Sequence, residues 1–393
     1  MAFLHRLLLR TFSSSSSILS PDSKVPLSAF SKSRKALSLL KSESNPEKIL
    51  DICRAASLSP HHHLDRLALS VAVSNLSKSN NFSYVKSIVD DLRSRCADER
   101  LAAHAIVLFG QATMVNDAVS VFKEFHASSG RGSVTCLNAL IFACVLGKDY
   151  KEMKRVFMEF PGAYSVEPNV ETYNRVIKGF GESGEASSSF SILSEMEKRS
   201  VRPNAASFAA VLSGFYAEEK LDDVNKVMLL MKNKYDFNPT LPIYNVRIKC
   251  LCKLRRSPDA LKLLDEMLEK RIKPNAVTFA ELIRGFCLEG KLEEARQLFG
   301  EMEWRKLRIG SDVYFTMVDF LSRGGDFGNA AKLCREAMAK GWVPNFTTMK
   351  ALVMGLRGAG DGEGAKELVA EVKGKVSRKV ELWENVEAEM SAS

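Results

Sequence analysis

An all-α array of stacked helical hairpins is the fold class that this sequence predicts, and three observations predict it. First, the pair Tyr173-Asn174 opens a segment that recurs in register as Phe208-Ala209, Tyr244-Asn245, Phe279-Ala280, Tyr314-Phe315 and Met349-Lys350. The units start at Val170, Ala205, Leu241, Ala276, Ser311 and Phe346, with steps of 35, 36, 35, 35 and 35 residues. A fixed period of this size marks a repeat array. Second, apolar residues inside each unit fall at helical spacing. Third, glycine and proline stand at fixed places between the apolar runs.

The unit at Ala276 shows why each segment reads as a hairpin. Its first run places Val277, Phe279, Leu282, Ile283 and Phe286 on a helix, and Glu289-Gly290 stops it. Glycine tolerates the left-handed turn that ends a helix, and Gly184, Gly325 and Gly360 hold the same place in their units. The second run carries Leu292, Ala295, Leu298, Phe299 and Met302. Ala260, Ala295, Ala330 and Ala365 share one register, where a methyl group lets helix axes approach. Pro168, Pro203, Pro274 and Pro344 close their units, since proline ends a helix and restricts the residue before it. One hairpin cannot bury its own apolar stripe. Stacked neighbours can, which predicts a solenoid with a concave face.

Taken in order, the chain of 393 residues opens with MAFLHRLLLRTFSSSSSILS, which bears arginine and serine and has no acid before Asp22. That composition predicts an organellar transit peptide over residues 1–28, mitochondrial or plastid. Arg6 and Arg10 interrupt the apolar run that a secretory signal needs. No other stretch is apolar over the ~18 residues a membrane span requires. Residues 29–133 read as three degenerate hairpin units starting near Ala29, Leu64 and Glu99. Seven clearer units follow over 134–380, from Val134 onward. Residues 381–393 read as a capping helix and tail, with Leu382, Val386 and Met390 on one face. About ten repeats follow from that division. The formal charge is +9, of which +5 falls within the first 35 residues. The body is only mildly basic, so overall charge is a poor argument for nucleic-acid affinity.

Residues that could carry chemistry are few. The eight cysteines form none of the CxxC pairs of a zinc site, and most stand at apolar helical positions, as buried thiols do. His61-His62-His63 follows Pro60 and reads as an exposed linker rather than a metal site. No histidine lies beyond His126, so the clear repeats hold no imidazole for acid–base work. The GDGEG run at 360–364 lacks the lysine and hydroxyl residue of a phosphate loop. Neither a cofactor nor a metal is expected. The chain closes at VELWENVEAEMSAS soon after the last unit, which leaves no room for a catalytic tail. The expectation is therefore a protein that is not an enzyme.

The segments VTFAELIRGFCLEGKLEEARQLFGEMEWRKLR and VETYNRVIKGFGESGEASSSFSILSEMEKRSVRPN resemble the pentatricopeptide repeat, plain class. The tryptophan-leucine-glycine-tyrosine pattern of the related tetratricopeptide repeat is absent. The resemblance implies a right-handed superhelix that binds single-stranded RNA, with one base read per repeat. It implies that the fifth residue of a unit reads a base together with the last. Those pairs are Asn138 with Asn169, Asn174 with Asn204, and Asn245 with Asn275. An amide both donates and accepts at a base edge, and in the family an asparagine pair prefers pyrimidine. Asparagine is also a favoured helix cap, which is the competing reading for Asn169, Asn204 and Asn275. The other pairs are Ala68 with Asp98, Ala103 with Ser133, Ala209 with Thr240, Ala280 with Gly310 and Phe315 with Asn345. Alanine and phenylalanine cannot hydrogen-bond a base. One turn beyond the fifth positions, Lys178, Lys249 and Arg284 share their face and could track a phosphate backbone. Ser213, Asp319 and Met354 hold that register elsewhere.

Four further segments, SVTCLNALIFACVLGKDYKEMKRVF, VETYNRVIKGFGESG, SGFYAEEK and KVELWENVEAEM, are similar to a group of short plant mitochondrial pentatricopeptide proteins. Members of that group associate with the mitochondrial ribosome. The resemblance implies a matrix protein that grips ribosomal or messenger RNA beside mitochondrial ribosomal proteins and supports translation. The alternatives are a transcript-specific RNA factor for stabilisation or processing, and a protein-binding scaffold.

Overall fold

The computed structural model describes residues 18–19, 27–59, 61–93, 98–375 and 380–392. Most of the transit-type segment at 1–28, and Cys96, lie outside the described residues. Every regular element among the described residues is a helix, and there are 21. The chain divides into two compact units, one ending at Glu218 and the other beginning at Glu219.

The first unit holds α1 (Ala29–Leu40), α2 (Pro46–Ala56), α3 (His63–Lys78), α4 (Phe82–Arg93), α5 (Glu99–Gln111) and α6 (Val115–Ser129). It continues through α7 (Val134–Leu146), α8 (Tyr150–Ala163), α9 (Val170–Glu182), α10 (Ser188–Lys198) and α11 (Ala205–Ala217). The first ten helices pair as consecutive hairpins, and each odd-numbered helix from α1 to α11 packs on the next. The second unit holds α12 (Leu221–Tyr235), α13 (Leu241–Lys253), α14 (Ser257–Glu269), α15 (Ala276–Leu288) and α16 (Leu292–Trp304). Then come α17 (Ser311–Arg323), α18 (Phe327–Ala339), α19 (Phe346–Gly358), α20 (Gly362–Lys375) and α21 (Val380–Ala392). Here too α13, α15, α17, α19 and α21 stack in sequence, and α13 to α20 pair as hairpins. Each unit is an all-α repeat stack.

The period of the sequence is a period of the backbone. At the first turn of four hairpins, Gly184, Gly290, Gly325 and Gly360 adopt φ of +79°, +74°, +81° and +92°. The next amide then closes on the carbonyl five residues back: Glu185 on Phe180, Lys291 on Phe286, Asp326 on Leu321 and Asp361 on Leu356, each at 2.9 Å. This bond is the six-residue closure of a Schellman turn. Lys148 and Arg255 make the same left-handed turn without glycine, at φ +57° and +56°. The second turn repeats the device. Val201, Ile272, Leu307 and Trp342 donate to Met196, Met267, Met302 and Ala337 at 2.8, 2.8, 2.9 and 3.0 Å.

Packing follows the same register. Ala260, Ala295, Ala330 and Ala365 have no exposed surface. The aromatic residues that mark the repeat, Tyr173, Phe208, Tyr244, Phe279 and Tyr314, are at most 2 % exposed. Burial of a side chain of this size stabilises by roughly 1.5–3 kcal/mol. Some contacts at glycine are closer than a side chain allows. A Cβ on Gly110 of α5 would stand 2.3 Å from Ala143 Cα of α7, and one on Gly181 of α9 would stand 2.9 Å from Gly214 Cα of α11.

The terminal helix differs from its sequence reading. Leu382 is only half-buried, whereas Trp383, Val386 and Met390 are buried. Trp383 meets Phe346 edge-on at 5.0 Å between ring centroids, so the larger ring takes the anchoring place. Among the described residues, no helix is long and apolar enough to cross a membrane.

Candidate nucleic-acid interface

The asparagine pairs meet where one odd-numbered helix lies against the next. Asn169, Asn204 and Asn275 are the N-caps of α9, α11 and α15. Each cap side chain accepts from the backbone N–H three residues on, that of Thr172, Ser207 and Thr278, at 3.1 Å. The capping reading of these three residues is therefore correct. It does not exclude the pairing, because the fifth residue of the preceding unit reaches the same cap. Asn138 Nδ2 donates to Asn169 Oδ1 at 3.3 Å, Asn174 Nδ2 to Asn204 Oδ1 at 3.4 Å, and Asn245 Nδ2 to Asn275 Oδ1 at 3.3 Å.

A third residue, which the repeat reading missed, locks each pair. Thr172 Oγ1 donates to Asn138 Oδ1 at 2.6 Å, Ser207 Oγ to Asn174 Oδ1 at 2.6 Å, and Thr278 Oγ1 to Asn245 Oδ1 at 2.7 Å. The same hydroxyls accept from the backbone N–H of Asn169, Asn204 and Asn275 at 3.1 Å. The signal was present in the sequence. A hydroxyl residue stands three places after each of these caps, the spacing of a capping box.

These contacts set the direction of every amide. A backbone N–H only donates, so the cap must turn its Oδ1 toward it. The hydroxyl already accepts a backbone N–H, so its own hydrogen goes to the fifth-position Oδ1. That leaves the fifth-position Nδ2 facing the cap Oδ1. The carbonyl oxygens of both amides are thus engaged within the protein. The uncommitted capacity is N–H: the cap NH2 group and one hydrogen of the fifth-position NH2. Such a cluster can donate to acceptor atoms on a base edge, such as the carbonyl oxygens of a pyrimidine.

Exposure separates the three clusters. Asn138 is buried at 4 %, so only Asn169, which is exposed, offers donors there. Asn174 and Asn245 are half-buried, Asn204 is exposed and Asn275 half-buried. At the remaining junctions Ala68 and Ala103 are buried, and Ala209, Ala280 and Phe315 are half-buried. Asp98, Ser133 and Asn345 act as caps of α5, α7 and α19. At the last junction Lys350 takes the fifth position and pairs with Glu389 of α21 at 2.8 Å.

The three candidate cations are exposed or half-exposed, but each faces a carboxylate. Lys178 Nζ lies 3.7 Å from Glu182 and 5.7 Å from the centroid of Phe142. Lys249 lies 4.0 Å from Glu281. Arg284 reaches Glu281 at 3.2 Å and Asp312 at 3.3 Å. Asp312 belongs to the next odd-numbered helix, which the helical-wheel reading of one unit could not show. The Lys178–Glu182 and Arg284–Asp312 pairs are exposed and worth little, so a phosphate could compete there, whereas the Glu281 side chain that faces Lys249 and Arg284 is mostly buried.

Nothing else gathers chemistry. Among the described residues there is no cluster of His, Cys, Asp or Glu that could hold a metal. Burial pushes the thiol of Cys136 up to about 11 and those of Cys144, Cys252, Cys287 and Cys334 up to about 12. These thiols stay protonated at neutral pH and are poor nucleophiles. His61, His62 and His63 are exposed, and His63 begins α3 rather than lying in a linker.

Comparison with known proteins agrees with this architecture. Family profiles described as PPR repeat family match residues 168–217 and 239–288, PPR repeat matches 277–307, and pentatricopeptide repeat domain matches 120–183. A mitochondrial pentatricopeptide repeat-containing protein of Arabidopsis thaliana is 44 % identical over 99 % of this chain and 98 % of its own length. The small ribosomal subunit protein mL103 (rPPR7) of Arabidopsis thaliana is 26 % identical over 91 % of this chain and 87 % of its own. Among solved structures, the pentatricopeptide repeat protein PPR10 from maize superposes with a TM-score of 0.52 at 18 % identity. The match covers all of this chain and 58 % of the maize chain, and it speaks to the fold alone. A relationship that runs nearly end to end, on a backbone built from the repeat those profiles describe, means that the chain belongs to the pentatricopeptide repeat family, whose members are RNA-binding helical repeat proteins and not enzymes.

Proposed function

We propose that this chain is a mitochondrial RNA-binding protein that joins the small subunit of the mitochondrial ribosome and supports translation there. One observation carries the reading: among the described residues three junctions present paired amides, and the others present serine, alanine, phenylalanine or an internal ion pair. A face of that kind grips a single strand with little selection among sequences, which suits a component of a ribonucleoprotein. Likeness to a small-subunit protein over most of both chains supports it. The mitochondrial name of the 44 % relative and the transit-type composition of residues 1–28 support the location. In this reading residues 134–380 are seven repeats, 29–133 three degenerate ones, and 381–393 the cap and tail. Asn169, Asn174, Asn204, Asn245 and Asn275 face the bases of ribosomal or messenger RNA, and the buried Asn138 holds Asn169 in place. Lys178, Lys249 and Arg284 exchange their carboxylate partners for phosphates. The neighbours are mitochondrial ribosomal proteins.

The test is sedimentation of the tagged full chain from purified mitochondria after nuclease treatment. Co-migration with the small ribosomal particle is the expected result. A second reading, a factor for one transcript, is favoured by the free amide donors of the three clusters. A chain that sediments free of ribosomes and protects a single pyrimidine-rich footprint would establish that reading instead.

A further inference from the structure

We propose that the loops at 270–275 and 305–310 of the second unit, with Trp304, form a second RNA-contact surface that grips the sugar–phosphate chain and stacks an unpaired base. Arg271 and Lys273 stand four and two residues before the cap Asn275, and Lys306 and Arg308 stand four and two before the cap Gly310. The repeat therefore places two pairs of cations at matching positions on consecutive hairpins. All four are exposed, and none of them forms an ion pair among the described residues. Their chain neighbours behave differently: Lys270 is held by Glu266 at 2.5 Å and Arg305 by Glu301 at 2.6 Å. The exposed acids beside these segments are Glu269, Glu303 and Asp312, the last held by Arg284, so the four cations outnumber them.

The backbone presents one cation of each pair at the turn. Arg271 and Lys306 occupy the left-handed position of the turn, at φ +57° and +54°, where the next hairpin uses Gly341 at +82°. Ser200 holds the matching position of an earlier hairpin at +58°, so the turn itself leaves this place open to a long cation. Between the loops lies a groove of about 410 Å³, floored by Leu268, Ile272 and Leu307 and rimmed by Arg271, Lys273 and Arg305. Trp304 is 79 % exposed, with the Arg305 guanidinium 5.9 Å from its ring. Nucleic acid offers an anion and a flat π face at every step, and single strands bind to cations interleaved with aromatic rings. An acidic peptide would satisfy the cations alone.

The inference takes from the proposed function only that the ligand is RNA. Its test is fluorescence anisotropy of the full chain with labelled oligo(C), oligo(U) and oligo(A) RNA over a salt series. The variant Arg271→Ala/Lys273→Ala/Lys306→Ala/Arg308→Ala should weaken all three probes alike and flatten the log–log salt slope by about 3. Trp304→Ala should weaken all three by about 5-fold or more. A charge-preserving Lys273→Arg/Lys306→Arg variant should bind as the native chain does, which separates lost charge from lost fold. By contrast, Asn174→Ala/Asn245→Ala should alter the ranking of the probes. Native affinity and slope in the fourfold variant would overturn the inference while leaving the proposed function standing. Failure of the native chain to bind any probe would overturn both. Intact RNA binding with loss of the ribosomal particle would assign the surface to a protein, and that too would overturn it.

Discussion

The unit that ends at Glu218 carries two of the amide clusters and every histidine of the chain, whereas the unit that begins at Glu219 carries one cluster, no histidine and the four loop cations that form no ion pair among the described residues. Hairpin geometry is common to both, down to the amide that closes each turn. What separates them is the residue at a few fixed places: the fifth position, the cap, and the two loop positions before the cap. The difference teaches that joint and surface are built from separate atoms. The main chain makes the joint, so side chains at its edge are left to select or to grip.

That view is most directly broken in the core. If both units rest on the same aromatic anchor, Phe208→Ala in one and Phe279→Ala in the other should each cost about 3–5 kcal/mol, since both rings are fully buried. Urea unfolding measures the pair, and a loss confined to one unit would show that the units are not equivalent beneath their surfaces.

Acid should separate the units next. Burial, helped by Arg66, pulls His104 of α5 down to about 4, and its Nε2 has no hydrogen-bond partner among the described residues. The folded state holds this imidazole neutral, while the unfolded chain protonates it near 6.5. Stability from that residue is complete above pH 6.5 and is lost as pH falls from there toward 4. A shift of this size corresponds to roughly 3 kcal/mol at most. His104→Phe should remove the slope from thermal melts between pH 4 and 6.5. A variant that melts with the native pH dependence would place the acid sensitivity elsewhere.

The smallest expected effect sharpens the comparison at a cluster. Thr278→Val removes the donor to Asn245 Oδ1 and the acceptor for the Asn275 N–H. The cost should be about 1–3 kcal/mol. Val313, buried at the matching third place of α17, needs no such donor, so Val313→Ala should lose packing alone. Denaturation midpoints read the stability, and anisotropy with oligo(C) reads whether the freed amide still engages a base.

Four of the turns and the small-residue register were legible because a single residue type recurs at each. Glycine at 184, 290, 325 and 360 means a positive φ, and alanine at 260, 295, 330 and 365 means a close approach. Lys148 and Arg255 were not legible as left-handed positions, because the closing bond is made by main-chain atoms that any residue supplies. In the candidate site the asparagine register was visible and the hydroxyl lock was not. Thr172, Ser207 and Thr278 read as helix-start residues until the preceding unit is laid beside them. The partners of Arg284 were hidden for the same reason, since Asp312 lies on the following odd-numbered helix. Trp383 was passed over for Leu382 because a wheel of one isolated helix cannot show that Phe346 waits for a ring.

The main-chain closure of both turns has a consequence for how such a molecule changes over generations. A hinge that asks nothing of particular side chains is left whole when a 35-residue stretch of coding sequence is duplicated or dropped. The inserted copy brings its own hinges, and only the side-chain bonds that cross the opened junction, such as Thr278 to Asn245, have to be remade. Lengthening or shortening the array by whole steps is then cheap, while a cut in mid-step exposes apolar surface and is removed by selection.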